Sequence, residues 1–177
     1  MAINLVVGAV VRELSLPVYL DTTGTVLVAA LVGFPAGALV GAMSQLLMGL
    51  LTGYQYLPFV AIQWLLALLV VVATRRRGFA SLGRSLAWGI LCGLCCGAAS
   101  AVISYQLFRG GTGGGVAWVT AAVRAAGFPL PVAVAIGSGT TDVLDKGIVI
   151  VVVGVLLRAL PRRLLGRFPL AARATAR

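Results

Sequence analysis

The chain is expected to fold as an all-α integral membrane protein, a compact bundle of six transmembrane helices with both termini cytoplasmic. Three observations carry this expectation. Of the 177 residues, 60% are hydrophobic and only 10% are charged, whereas soluble domains carry about 25% charged residues. So few charges could not cover the surface of a soluble domain of this length, and such hydrophobicity excludes disorder. Second, no charged residue lies between Asp21 and Arg75, and none between Arg84 and Arg109. A spanning helix needs about 20 apolar residues, so the first run holds more than one span and the second holds one. Third, these runs do not alternate apolar with polar residues as barrel strands do, so the spans are helical. The apolar start is not a cleaved signal peptide, because it lacks a basic leading region and runs into further membrane sequence.

The spans follow in order. The first covers 1–16, apolar except for Arg12-Glu13, and is short enough to be expected as part of a longer helix begun upstream. The second, 21–33, ends at Gly33-Phe34-Pro35-Ala36, because Pro cannot donate to a continuing helix and restricts the residue before it. It too is short, which predicts a tilted helix or one partly buried by its neighbours. The third, 36–52, ends at Thr52-Gly53-Tyr54-Gln55-Tyr56-Leu57-Pro58, where the two Tyr have the amphipathic character favoured at membrane interfaces. The fourth, 57–74, stops at Arg75-Arg76-Arg77. The fifth is 82–108, of a length that suits a tilted helix. An outer loop over 109–141 follows, and the sixth span, 142–160, precedes Pro161-Arg162-Arg163 and a basic tail over 161–177.

Arg placement sets the orientation. Arg75, Arg76 and Arg77 follow the fourth span, and Arg158, Arg162, Arg163, Arg167, Arg173 and Arg177 end or follow the sixth. Two spans separate the groups, so both fall on one side, which the positive-inside rule makes cytoplasmic. The 12–21 connection, the 52–57 turn and the 109–141 segment, with Gly113 in it, are then outside. The formal charge of +10 reads as a topology signal with lipid contacts, not as nucleic-acid binding.

Chemistry-bearing residues are sparse. With no His and four carboxylates, the usual acid–base and metal-ligand sets cannot be assembled, so no catalytic residue, metal or cofactor is expected. Gly110-Gly111-Thr112-Gly113-Gly114-Gly115 is not a phosphate loop, since no Lys-Ser/Thr follows and no buried strand precedes it. It reads as a flexible outer connection. Cys92, Cys95 and Cys96 lie inside the fifth span, where thiols behave as small apolar groups, and three Cys make no disulfide scaffold. Small residues recur at four-residue spacing: Gly37 and Gly41 continue through Gln45 to Gly49, and Gly89, Gly93, Gly97 and Ala101 form a second stripe. Such stripes let helix backbones approach closely, either within the chain or against a partner.

Ionisable and polar groups at membrane depth are costly and mark functional candidates. Asp21 and Thr25 belong to the start of the second span; Gln55, Tyr56, Gln63 and Trp64 flank or enter the fourth; Tyr105 ends the fifth. Asp142, Asp145 and Lys146 are expected at the start of the sixth. Asp21 and Asp142 could instead be plain helix caps, and Asp145 and Lys146 a mutual or interhelical ion pair. Five helix ends contributing polar and aromatic groups on one side describe a pocket for a small polar molecule.

The stretches Leu16-Pro17-Val18-Tyr19-Leu20-Asp21-Thr22-Thr23-Gly24-Thr25 and Gly33-Phe34-Pro35-Ala36-Gly37-Ala38-Leu39-Val40-Gly41, with Asp145-Lys146 ahead of Leu160-Pro161-Arg162-Arg163, carry a resemblance. With the six-span layout, the chain resembles the substrate-binding S components of energy-coupling factor (ECF) vitamin transporters over most of its length. The resemblance implies a six-helix bundle in a bacterial cell membrane that captures a vitamin-like ligand from outside. It also implies docking on a transmembrane T component driven by two cytoplasmic ATPase subunits. First helices of that family often carry an Ala-x-x-x-Ala docking motif, which Met1–Leu14 does not show, so Gly33, Gly37 and Gly41 become the docking candidates. A non-transporting membrane sensor or assembly protein is the alternative. A channel would need a continuous polar line through the bilayer, and the mid-span residues are mostly Ala, Val, Leu and Gly.

Overall fold

The computed structural model describes residues 1–14, 16, 18–111 and 115–175. The expectations for Pro17, for Gly113 on the outer side and for Arg177 lie outside the described residues. The fold is all-α, with no strand among the described residues. It runs α1 (Ala2–Glu13), α2 (Thr23–Leu31), α3 (Phe34–Thr52), a 3₁₀ segment (Tyr54–Phe59), α4 (Val60–Arg75), α5 (Leu82–Phe108), α6 (Gly115–Ala125), α7 (Leu130–Ala159), α8 (Arg162–Leu165) and α9 (Pro169–Thr175). Three helical stretches, Phe34–Thr52, Tyr54–Arg75 and Leu82–Phe108, are long and apolar enough to cross a membrane.

Local chemistry sets the breaks. Gly33 and Gly53 sit at φ +121° and +134°, a region closed to residues with a Cβ, so α2, α3 and the 3₁₀ segment cannot merge. Pro35 stands in the first turn of α3, where its missing N–H costs nothing. Ser81 caps α5 by accepting from the Arg84 N–H at 3.3 Å. Leu160 is extended ahead of Pro161, as the residue before a proline prefers.

Helices α5 and α7 form the closest pair and run antiparallel. A Cβ built on Gly89 would stand 2.8 Å from Gly147 Cα, and one on Gly97 would stand 2.9 Å from Gly139 Cα. Between them, Gly93 faces the Val143 backbone more tightly still. The second stripe therefore serves packing within the chain. Helix α6 lies along α7, with Thr120 against Gly137. The core is built of Val26, Ala29, Leu66, Val70, Ile150, Val153 and Leu157, and α9 contributes Ala171 and Ala174 to it. The Arg158 guanidinium donates to the Phe79 carbonyl at 2.9 Å. The end of α7 thus meets the turn that follows Arg75–Arg77, so Arg158 and that arginine cluster share one end of the bundle.

The sixth span and the outer loop require correction. α7 begins at Leu130, not Asp142, because Pro129-Leu130-Pro131 opens a helix, and the Gly137–Thr141 segment continues it as a small-residue face. Most of 109–141 is consequently helical, in α6 and the first turns of α7. Part of the 161–177 tail is also helical, in α8 and α9. Asp142, Asp145 and Lys146 lie mid-helix, beside Gly93, which is about 17 Å from one end of α5 and about 23 Å from the other at 1.5 Å per residue.

Candidate functional site

A pocket penetrates the bundle from the end opposite Arg75–Arg77, with about 590 Å³ of unfilled space including the open solvent at its mouth. Gln55, Tyr56 and Phe59 of the 3₁₀ segment line it, Gln55 exposed and the two rings half-buried. Phe59 is held by stacking on Phe108 at the end of α5, ring centroids 6.3 Å apart. Deeper, Ile62 and Gln63 of α4 and Ser100 of α5 form the wall. Asp142 and Lys146 of α7 are almost fully buried and close it mid-bundle. The other side is made by Tyr19, Asp21 and Thr22, together with Gln45 of α3.

The Tyr19–Thr22 segment lies inside the bundle because Asp145 holds it there. Asp145 Oδ1 accepts the Tyr19 N–H at 3.0 Å and the Leu20 N–H at 2.5 Å. Leu20 takes φ +51° to present that N–H, a conformation that costs a non-glycine residue roughly 1–2 kcal/mol. The other oxygen, Oδ2, accepts from Lys146 Nζ. Lys146 also pairs with Asp142 Oδ1 at 2.9 Å, one helical turn away, and the Tyr19 ring centroid lies 5.9 Å from Nζ. One buried ammonium is thus shared by two carboxylates, the arrangement that makes buried charge tolerable. Because the connection descends to this depth before the helix starts, α2 has nine residues, which accounts for the short second span.

A second, uncharged network lies behind the pocket. Asn4 of α1 donates to Thr25 Oγ1 at 3.1 Å and to Ser44 Oγ at 3.0 Å, and its Oδ1 accepts the Gly24 N–H at 2.6 Å. The Thr25 hydroxyl donates onward to Gln63 Oε1 at 2.8 Å. Four helices are tied together, with the donors and acceptors mutually satisfied. At the pocket wall the accounting is different. Gln45 Nε2 donates to Asp21 Oδ2 at 3.0 Å, yet Gln45 Oε1 and Thr22 Oγ1 are buried without a partner among the described residues. Buried polar atoms nearly always have one.

Of the residues expected to bind ligand, Asp21, Gln55, Tyr56, Gln63, Asp142 and Lys146 come together around the pocket. Four do not line it. Asp145 is fully buried and committed to the Tyr19 and Leu20 amides and to Lys146, so the ion-pair reading of Asp145 and Lys146 is the one the geometry favours. Thr25 is fully buried and committed to Asn4 and Gln63. Trp64 is 50% exposed and Tyr105 37%, on faces of α4 and α5 turned away from the pocket. The capping reading of Asp142 is also corrected, since it pairs with Lys146 in mid-helix.

The docking candidates face inward as well. A Cβ on Gly37 would stand 2.6 Å from Ala29 Cβ, and one on Gly41 would stand 2.7 Å from Gln63 Cβ. Gly33 is buried beside Leu170 of α9. Small residues on α3 therefore let α2 and α4 close around it. Tyr19, Gln45, Phe59, Ile62 and Ser100 are pocket residues that sequence reasoning missed, and Thr22 stands in the polar Asp21–Thr25 stretch that it singled out. Gln45 carried a signal, as the one polar side chain in the Gly37–Gly41–Gly49 stripe.

Cys92 and Cys96 are buried in the core as free thiols, with Cys95 half-buried beside them. Among the described residues no group of three or more His, Cys, Asp or Glu is placed to hold a metal ion. Comparison with protein-family models, with curated proteins and with solved structures finds no match.

Proposed function

We propose that this chain is the substrate-capture subunit of an ECF-type importer, binding a vitamin-like nutrient outside the cell for ATP-driven uptake. In this reading α1, α2, α3, the 3₁₀–α4 stretch, α5 and α7 are the six crossing segments, and both termini are cytoplasmic. A T component and two ATPase subunits supply the coupling. The observation that carries the reading is the pocket itself. It opens at the end opposite Arg75–Arg77, is closed mid-bundle by Asp142 and Lys146, and leaves two buried polar atoms on its wall without partners among the described residues. The positive-inside rule puts the arginine end in the cytoplasm and therefore the mouth outside. A protein that only capped its helices would have no reason to keep an open, polar cleft at bilayer depth.

The test is a thermal-unfolding screen of the purified chain with riboflavin, thiamine and pyridoxine as first probes, alongside co-expression with a T component and ATPases. A ligand at a hundred times its Kd stabilises by about 2.7 kcal/mol, or roughly 5–11 °C for a chain of this size. Ligand binding with uptake only in the presence of the partner subunits is expected. Binding without uptake would favour a sensor, and the absence of binding by any nutrient tried would remove the pocket from consideration.

A further inference from the structure

We infer that the pocket takes a small organic cation rich in N–H donors, of the amidinium or protonated amino-heterocycle class; this rests on reading the pocket as a ligand site. Acidic groups outnumber basic ones there. Asp21, Asp142 and Lys146 line it, with Asp145 directly behind. Lys146 is already used: its ammonium is paired with Asp142 and Asp145 and flanked by the Tyr19 ring. Among the described residues, Asp21 has no cation within ion-pair distance, and its one side-chain partner is the neutral amide of Gln45.

The unpartnered atoms point to the same chemistry. Because Gln45 gives an N–H to Asp21, its carbonyl oxygen is the atom left over, and that atom is a pure acceptor. It is buried, on a residue only 4% exposed, without a donor among the described residues. Thr22, 2% exposed, adds an unpartnered hydroxyl beside Asp21. Asp21, Gln45 and Thr22 thus present a charged acceptor, a neutral acceptor and a hydroxyl to one region of the pocket. A planar group with several N–H bonds and a delocalised positive charge satisfies all three, and hydrogen bonds to an ionised partner are the strong ones. The rings of Phe59 and Tyr56 line the same cavity and offer apolar and π-face contact to the flat body of such a molecule. An anionic ligand would meet Asp21, and the one cation among the pocket's lining residues, Lys146, is already paired with two carboxylates.

The matched series benzamidine, benzamide and benzoate keeps one ring and nearly one shape while changing the charge from positive to neutral to negative. Affinity is read from the ligand dependence of thermal unfolding of the full chain in detergent. Benzamidine is expected to bind roughly tenfold or more tightly than benzamide, with benzoate the weakest. In Asp21→Asn that advantage should collapse to about twofold or less, since the charge is gone and the hydrogen-bonding shape is kept. Thr22→Val is the second variant. It removes an unpartnered hydroxyl at little cost to folding and should weaken benzamidine roughly threefold or more while keeping its preference over benzamide. Benzamide or benzoate binding as well as benzamidine would overturn the inference and leave the pocket standing. So would a nutrient from the panel that binds tightly as a neutral molecule or an anion. Failure of every probe and every nutrient would overturn the inference and the function together.

Discussion

Removing the Asp145 side chain should damage the fold more than neutralising Asp142, although both carboxylates share the same lysine. In Asp145→Ala, the Tyr19 and Leu20 amides lose their common acceptor, and Lys146 retains one carboxylate instead of two. Breaking a buried ion pair by deleting one partner costs about 3–5 kcal/mol. Asp142 remains to share the charge, which places that contribution near the lower end. Orphaned buried amides add about 1–3 kcal/mol, and Leu20 loses the bond that offsets its left-handed backbone. A total of about 4 kcal/mol converts to an unfolding temperature lower by roughly 8–16 °C. Asp142→Asn keeps the shape and one acceptor oxygen for Lys146, and Asp145 keeps the full charge, so about 1–2 kcal/mol, or roughly 2–8 °C, is expected. Cys92 and Cys96 are buried in α5, so a thiol-reactive dye reports unfolding with no engineered label. The variant with Ala at 145 should also bind ligand weakly at temperatures where it is folded, because the Tyr19–Thr22 wall loses its anchor. If Asp142→Asn lowers the transition as much as Asp145→Ala does, the account of Asp145 as the anchor of that segment is wrong.

Gly93→Ala should destabilise by about 1–3 kcal/mol, since its new Cβ meets the Val143 backbone. Gly83→Ala, with open space around it, should be neutral or stabilising by up to about 1 kcal/mol; equal melting shifts would refute the α5–α7 packing. Gly41→Leu should reduce folded protein and ligand binding together, because the side chain would enter the space of Gln63 and Thr25. Intact binding with lost uptake would instead restore this glycine as a docking residue. In a background lacking Cys92, Cys95 and Cys96, a cysteine at Tyr54, which is 76% exposed, should react with an impermeant reagent from outside. One at Arg76 should not, and labelling at Arg76 from outside would invert the topology.

What was legible in the sequence followed from signals that act locally. The fifth span coincides with α5 because Ser81 caps one end and Arg109, in the left-handed region, closes the other, and no charge intervenes. The sixth was misplaced because Gly137-Ser138-Gly139-Thr140-Thr141 has the composition of a loop. The same residues are what a helix needs to lie against the glycines of α5, and only the partner helix decides between the two readings. Asp142 looked like a cap for the same reason: an acidic residue after a polar stretch signals a helix start unless a lysine one turn later pairs with it inside the bundle. The pocket was half legible. Gln55, Tyr56 and Gln63 stand near one visible break in the chain and could be grouped by sequence distance. Gln45 sits on a stripe that reads as helix packing or partner docking, Ser100 is a small hydroxyl within an apolar span, and Tyr19 and Thr22 reach the site through a bend anchored by Asp145, over a hundred residues away. That separation has a physical cause. A polar group survives at bilayer depth only if another group meets it there, so the residues that build such a site are spread over helices that no local pattern connects. On the inference drawn above, the unpartnered Gln45 and Thr22 atoms extend the same rule, with a ligand giving the partner that the described residues do not.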